Sequence, residues 1–343
     1  IARADSRELS RARIAPGGGS VARVMGGPRS GAAFSEGAQG PNAALISEPH
    51  LPAEVFAFDD GKLRRLTHTN DALLEELLLG EVENVHFASR DGTEIEGFIV
   101  KPPNFDPELQ YPTILHIHGG PQSQYDFAFQ FEAQLFAANG YVVTLPNPRG
   151  STGYGQDFCF AIWQDLGGID LVDLLASVDD AIERGYADPE RLGVGGWSYG
   201  GMMTNHVITK SDRFKGAYTG ASATLYVVNY GHDHYQRWWE AELGVPWRNR
   251  DLWEELSPFN RVEDVVTPTL IVGGEHDWNV PIINSEQLYM ALKSLGKTTE
   301  LVVYPGEGHV FETPSYNKDL YERVLAWFGK YVKGEPVQGS DTE

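Results

Sequence analysis

Three residue types that can together open an acyl bond occur in this chain in a usable order: a serine, a carboxylate and a histidine. Ser198 stands in Gly196-Trp197-Ser198-Tyr199-Gly200, the G-x-S-x-G spacing of a nucleophile elbow. Residues 191–195 read as a short buried strand and residues 202–208 as the start of a helix. A serine at such a bend needs glycine neighbours, because a Cβ there meets the adjoining turns. The bend presents the hydroxyl and leaves backbone N–H groups free at the helix start. A hydroxyl is a weak nucleophile until a base takes its proton, and the base must be held by a third group. Asp277 and His309 supply that carboxylate and imidazole. Each lies in a glycine-bearing loop just past a readable strand, at 269–273 and 300–304.

The order serine, acid, histidine is that of the α/β-hydrolase fold, where each member sits at the C-terminal end of a strand. Glu275 and His276 flank Asp277 as rivals, but adjacent loop residues point in different directions. His232 and His234 form an isolated H-x-H around Asp233. A metal site draws three or four spaced ligands, so neither a metal nor a cofactor is expected. His118-Gly119-Gly120-Pro121 follows the apolar strand at 113–118. The backbone N–H groups of Gly120 and Tyr199 are the expected oxyanion donors, each contributing about 3 kcal/mol to the reaction. His116 alternates into a packed sheet and reads as structural, whereas His118 braces the loop. Residues 147–155 have the glycines of a phosphate cradle but lack its closing Gly-Lys-Ser/Thr. That stretch reads as a rigid active-site loop, with Arg149 either in a buried ion pair or near substrate. It is placed here with the pocket residues. Tyr199, Trp238 and Val280 supply aromatic and apolar pocket walls. Cys159, the only cysteine, lies in an apolar run and reads as buried.

Those loops need a frame. Strand patterns at 85–89 and 94–100 are joined through Asp91 and Gly92. Thereafter strands and helices alternate: helices at 129–138, 168–184, 200–209, 284–295 and 320–332, strands at 113–118, 141–145, 192–194, 214–219, 269–273 and 300–304. Antiparallel strands followed by βα repeats predict an α/β fold, a mostly parallel sheet with helices on both faces. The aromatic-rich piece at 221–260 is too long for a plain loop and is expected to hold small helices at the rim of the site. Residues 1–50 are rich in Gly, Ala, Ser, Pro and Arg and read as an irregular basic segment. Residues 51–81 read as a hairpin around Asp60-Gly61 plus a linker. Residues 82–335 form the hydrolase, and 336–343 a flexible tail.

The 343 residues carry 27 Lys and Arg against 48 Asp and Glu, a net charge of −21. Such a surface repels phosphate backbones and anionic lipid, which argues against nucleic acid and membrane partners. No stretch reaches the eighteen apolar residues of a membrane span. The basic head lacks the apolar run of a signal peptide, which leaves the compartment unknown with the cytoplasm slightly favoured.

The chain resembles the catalytic domain of the prolyl oligopeptidase family of serine peptidases, particularly its acylaminoacyl-peptidase and dipeptidyl-aminopeptidase-like branch. The resemblance rests on His118 to Pro121, Asn147 to Gly155, Gly196 to Thr204, Gly273 to Pro281 and Gly308-His309. It implies the triad Ser198, Asp277 and His309 and a substrate-facing role for Trp238 and Trp239. It further implies an acyl-enzyme that releases short peptides or acylated amino acids, as a broad aminopeptidase-type exopeptidase and a homo-oligomer. Family members carry a β-propeller before the hydrolase. The residues around 53–67 look like its last blade, so a missing or separate propeller segment is expected. Some relatives place an arginine two residues after the catalytic acid, where this chain has Asn279, which favours broad over strictly proline-directed cleavage. A carboxylesterase is the alternative enzyme, and an inactive hydrolase-fold binding module the alternative without catalysis.

Overall fold

Alternating strands and helices place the chain's apolar residues on both faces of one central sheet. A computed structural model describes residues 11–13, 22–25, 27–35, 42–59 and 62–336. Strands β1 (Arg11–Arg13) and β2 (Ala22–Met25) pair with each other. Strands β3 (Ser30–Ser35), β4 (Asn42–Glu48), β5 (Leu51–Asp59) and β6 (Lys62–Arg65) form a four-stranded antiparallel sheet. Helix α1 (Asp71–Leu74) then leads into β7 (Val82–Ala88) and β8 (Glu94–Val100). The rest of the central sheet is β9 (Tyr111–Ile117), β10 (Val142–Pro146), β11 (Ala187–Trp197), β12 (Gly216–Gly220), β13 (Thr269–Gly274) and β14 (Thr299–Tyr304).

Its strand order is β14-β13-β12-β11-β9-β10-β8-β7. Strands β9 to β14 run parallel, β8 runs antiparallel to β10, and β7 antiparallel to β8. The helices are α2 (Phe131–Ala138), α3 (Gln156–Phe160), α4 (Ile169–Glu183), α5 (Tyr199–Lys210), α6 (Gln236–Leu243), α7 (Arg250–Leu256), α8 (Ile283–Ser294) and α9 (Pro314–Phe328). Neighbouring β9 residues serve opposite faces, as strand geometry requires. Leu115 belongs to the core cluster that holds Leu174, Val178, Met203 and Trp253, whereas Ile114 belongs to the one that holds Phe136, Val324 and Phe328. A sheet buried on both faces explains why β9 reads as a continuous apolar run. This is the α/β-hydrolase architecture that the alternation implied. The 221–260 piece contains a short 3₁₀ turn (Tyr226–Asn229), α6 and α7.

The amino-terminal segment differs from its expectation. Within 1–50, read as irregular, β3 and β4 are ordered strands, and the β5–β6 hairpin is half of a larger sheet. Composition hides them, because Ser30–Ser35 and Asn42–Glu48 are poor in β-branched and aromatic residues. Pairing with β5 supplies what propensity does not: Ala44, Ile46, Phe56 and Phe58 bury one another. Glu54, buried in that sheet, accepts hydrogen bonds from Arg65, Thr67 and the Thr69 and Asn70 N–H groups, tying the hairpin to the start of α1. The sheet meets the hydrolase body where Ser47 Oγ accepts the Phe129 N–H and Ser30 Oγ donates to Asp126. The Asp60-Gly61 turn and all of the 336–343 tail except residue 336 lie outside the described residues. No helix among the described residues is long and apolar enough to cross a membrane.

The parallel strands deliver residues 118–120, 198, 277 and 309 to one edge of the sheet. At the elbow, β11 and α5 lie against the end of β9 so closely that a Cβ on Gly200 would overlap the Ile117 carbonyl oxygen. Gly200→Ala is therefore expected to cost about 3 kcal/mol of stability by overpacking, measured by urea unfolding. A change under 0.5 kcal/mol would show that the elbow is loosely packed.

Candidate active site

Ser198 sits between β11 and α5 with φ 62° and ψ −122°. A left-handed φ at a non-glycine residue is strained, and strain of this kind gathers at reactive positions. The fold holds it there from both sides. The Ser198 N–H donates to Gly220 O of β12 at 2.9 Å, and its carbonyl accepts the Met202 N–H at 2.9 Å. The side chain lines a cavity of about 120 Å³.

Asp277 follows β13 and is almost fully buried, with 4% of its surface exposed. One carboxylate oxygen accepts the N–H groups of Asn279 (2.8 Å) and Val280 (2.9 Å), and the other faces His309 Nδ1 at 2.7 Å. Because a carboxylate accepts, Nδ1 carries the proton of the neutral imidazole and Nε2 keeps its lone pair. That is the tautomer a general base needs. The loop after β14 is held by Glu307, which accepts the Glu312 N–H at 2.7 Å and the Thr313 N–H at 3.2 Å. Trp197 links this loop to the elbow, its indole N–H donating to the His309 carbonyl at 2.9 Å. Ser198 Oγ itself makes no hydrogen bond among the described residues. Glu275, the rival acid, turns away and accepts the Gly306 N–H at 2.9 Å, and His276 is largely exposed. Among the described residues no group of three His, Cys, Asp or Glu is placed to hold a metal ion.

Gly120 and Tyr199 border the same cavity as Ser198. Tyr199 is the first residue of α5, so its N–H has no intrahelical acceptor. Gly120 has φ 134°, a conformation open to glycine alone. Behind it, His118 Nδ1 donates to Gly119 O at 2.7 Å and Nε2 accepts the Ser151 hydroxyl at 3.0 Å. His118 thereby couples the 118–121 loop to the 147–155 loop. His116 is enclosed within the sheet, with Tyr125 OH 2.7 Å from Nδ1 and Glu132 2.5 Å from Nε2.

Trp238, Trp239 and Val280 lie on the cavity wall with Met202, Ala223 and Tyr235. Its polar members are Gln122, Asn229, Asp233 and Asn279. Asp233 accepts the Trp239 indole N–H at 2.7 Å, which fixes that ring, and burial pushes its carboxyl upward. Arg149 is not on this wall, contrary to its placement among the pocket residues. Its guanidinium makes paired bonds to Asp173 (2.8 and 2.6 Å) and a third to Asp91 at 2.5 Å. The ion pair wins because Asp173 is fully buried and its charge needs a cationic partner, which Arg149 supplies. The bonds to Asp173 also hold the Arg149 pKa above its ordinary range.

Asp170 is the residue that sequence reasoning missed. It lies one helical turn before Asp173 on α4 and accepts the Tyr199 hydroxyl at 2.7 Å. Burial pushes its carboxyl up to about 7, against hydrogen bonds from Tyr199 and the Gly167 and Leu171 N–H groups. One face of α4 thus anchors the start of α5, Tyr199 through Asp170, and the 147–155 loop through Asp173. The available signal is two carboxylates on the mostly apolar face of that helix.

A strained serine on a strand-to-helix turn, and a histidine fixed by a buried carboxylate past other strands of the same α/β-hydrolase sheet, define the serine hydrolase class. The model of the prolyl oligopeptidase family matches residues 127–335, and the chain belongs to that family. It is 36% identical over 297 residues to YuxL, an uncharacterized peptidase of Bacillus subtilis, a match covering 84% of this chain and 45% of that protein. It is 28% identical over 307 residues to dipeptidyl-peptidase 5 of Porphyromonas gingivalis, covering 85% of this chain and 45% of the relative. Pyrococcus horikoshii acylaminoacyl peptidase superposes with a TM-score of 0.87 at 28% identity, over 94% of this chain and 53% of that one. The chain therefore spans about half the length of the curated relatives it matches.

Two outcomes check the supporting contacts. Arg149→Ala is expected to lose about 3–5 kcal/mol in urea unfolding, because it strands the buried Asp173; unchanged stability with a raised KM would return Arg149 to the pocket. Asp170 keeps its proton in the folded state to about pH 7 but in the unfolded chain only to its ordinary 3.8. Its contribution is therefore present below pH 4 and lost as pH rises through 7. Asp170→Asn, which cannot titrate, should gain on the native protein by about 1.4 kcal/mol per pH unit across that window. A pH-independent difference between the two would contradict this assignment.

Proposed function

We propose that this chain is the catalytic portion of a serine exopeptidase that cleaves short peptides, releasing dipeptides or acylated amino acids from their amino ends through an acyl-enzyme. The observation that carries the reading is the 2.7 Å contact of His309 with the buried Asp277, which leaves the imidazole poised as a base. In this mechanism His309 Nε2 takes the Ser198 proton as Oγ attacks the scissile carbonyl. The carbonyl oxygen, now negative, is received by the N–H groups of Gly120 and Tyr199. His309 then passes its proton to the leaving amine, the C–N bond breaks, and the acyl group remains on Ser198. Water, deprotonated by His309, releases it as the acid and restores the hydroxyl.

The cavity beside Ser198 is walled by Tyr199, Met202, Trp238, Trp239 and Val280, which suits an apolar or aromatic side chain next to the scissile bond. The relatives named as a dipeptidyl-peptidase and an acylaminoacyl peptidase support an exopeptidase over an esterase. The four-stranded β3–β6 sheet is the part we assign to the end of a preceding propeller, whose remainder would restrict access to short substrates.

Turnover of matched peptide anilides and esters by the native protein and Ser198→Ala tests the reading. Ser198→Ala is expected to lower kcat by at least about 10⁴-fold on both while remaining folded. A variant that keeps its turnover would remove Ser198 from the chemistry.

A further inference from the structure

A second cavity, of about 240 Å³, adjoins the one at Ser198, and the two share Pro121, Gln122 and Trp238 as a common wall. Its far side is built by Phe160 and Trp163, whose rings lie 5.8 Å apart and are about half exposed. Glu242 of α6 also lines it, with only 5% of its surface exposed. One Glu242 oxygen accepts the Gln164 N–H at 2.7 Å. The other has no hydrogen-bond or ion-pair partner among the described residues. Burial pushes this carboxyl upward, the direction expected where a carboxylate lacks a cationic partner.

A buried carboxylate that lines one cavity with three aromatic side chains is the chemistry that binds an alkylammonium group. The carboxylate supplies the counter-charge and the rings a cation–π surface. An apolar guest would leave the second oxygen desolvated and unpaired, and an anion would be repelled. We propose that this cavity is a subsite for a substrate ammonium group, held by Glu242 between Phe160, Trp163 and Trp238, one residue away from the scissile bond. The ammonium comes either from the free amino terminus of the peptide or from a lysine side chain at the second position. This rests on the catalytic reading of Ser198, because the shared wall is what places the subsite next to the reacting serine.

The bland role of Glu242 is to cap the Gln164 N–H. Glu242→Gln separates the two, since an amide oxygen still accepts that N–H but carries no charge. Four anilide substrates form the test, each with phenylalanine before the scissile bond. Ala-Phe-anilide is compared with its N-acetylated form, and acetyl-Lys-Phe-anilide with acetyl-norleucine-Phe-anilide. In at least one pair, the native protein is expected to favour the cationic member by about tenfold in kcat/KM, mostly through KM. Glu242→Gln should abolish that preference and leave the neutral member within about threefold. The first pair responding assigns the amino terminus, the second the lysine.

Binding of the same four compounds to Ser198→Ala, followed by tryptophan fluorescence, gives a readout independent of catalysis. Tighter binding of a cationic member supports the subsite even where the native protein turns nothing over, an outcome that fails the Ser198 reading instead. Equal affinities within both pairs, or a Glu242→Gln effect of the same size on charged and neutral members, overturns the proposal.

Discussion

The structure depends on how closely β11 and α5 approach the end of β9. Gly196 and Gly200 allow both elements to lie against the Ile117 carbonyl, and that contact fixes the turn on which Ser198 is held at positive φ. A side chain at either glycine would move the serine, and with it the first N–H of α5. The neighbouring strands then act as rulers. β9 ends at the Gly119-Gly120 loop, β13 at Asp277 and β14 at His309, so groups distant in sequence reach one sheet edge. The precision such a site requires comes from rigid elements and their packing rather than from the loops alone.

A layer of buried polar contacts supports that edge. Asp277 is saturated by two backbone N–H groups and one imidazole. Asp170 and Asp173 on α4 hold Tyr199 and Arg149, and the Arg149 loop reaches His118 through Ser151. Each contact places a charged or polar group away from water, which destabilises the fold unless its geometry is satisfied. Buried polar contacts of this kind recur where positions of reacting groups matter more than stability.

The sequence displayed the parts of this arrangement that are encoded locally. G-x-S-x-G between an apolar strand and a helical pattern is local, as are the glycine-bearing loops after β13 and β14. The βα alternation likewise made the parallel sheet legible, with element ends shifted by a few residues. What stayed hidden depends on partners far along the chain. β3 and β4 are alanine- and serine-rich strands that exist because β5 pairs with them. Asp170 finds Tyr199 across 29 positions, and in a helix sequence it looks like any acidic residue in a first turn. Arg149 is legible as a loop charge with two possible fates, and the burial of Asp173 decides between them. Glu242 gave no signal, because a glutamate on a short helix normally faces water.

The most direct measurement of the central claim is the structure of the protein inactivated by an alkyl fluorophosphonate. The account predicts phosphorus bonded to Ser198 Oγ, the phosphonyl oxygen about 3 Å from the Gly120 and Tyr199 N–H groups, and His309 Nε2 within hydrogen-bond reach of Oγ. Phosphorus on another residue, or an adduct on Ser198 whose oxygen points away from both N–H groups with His309 remote, would contradict it.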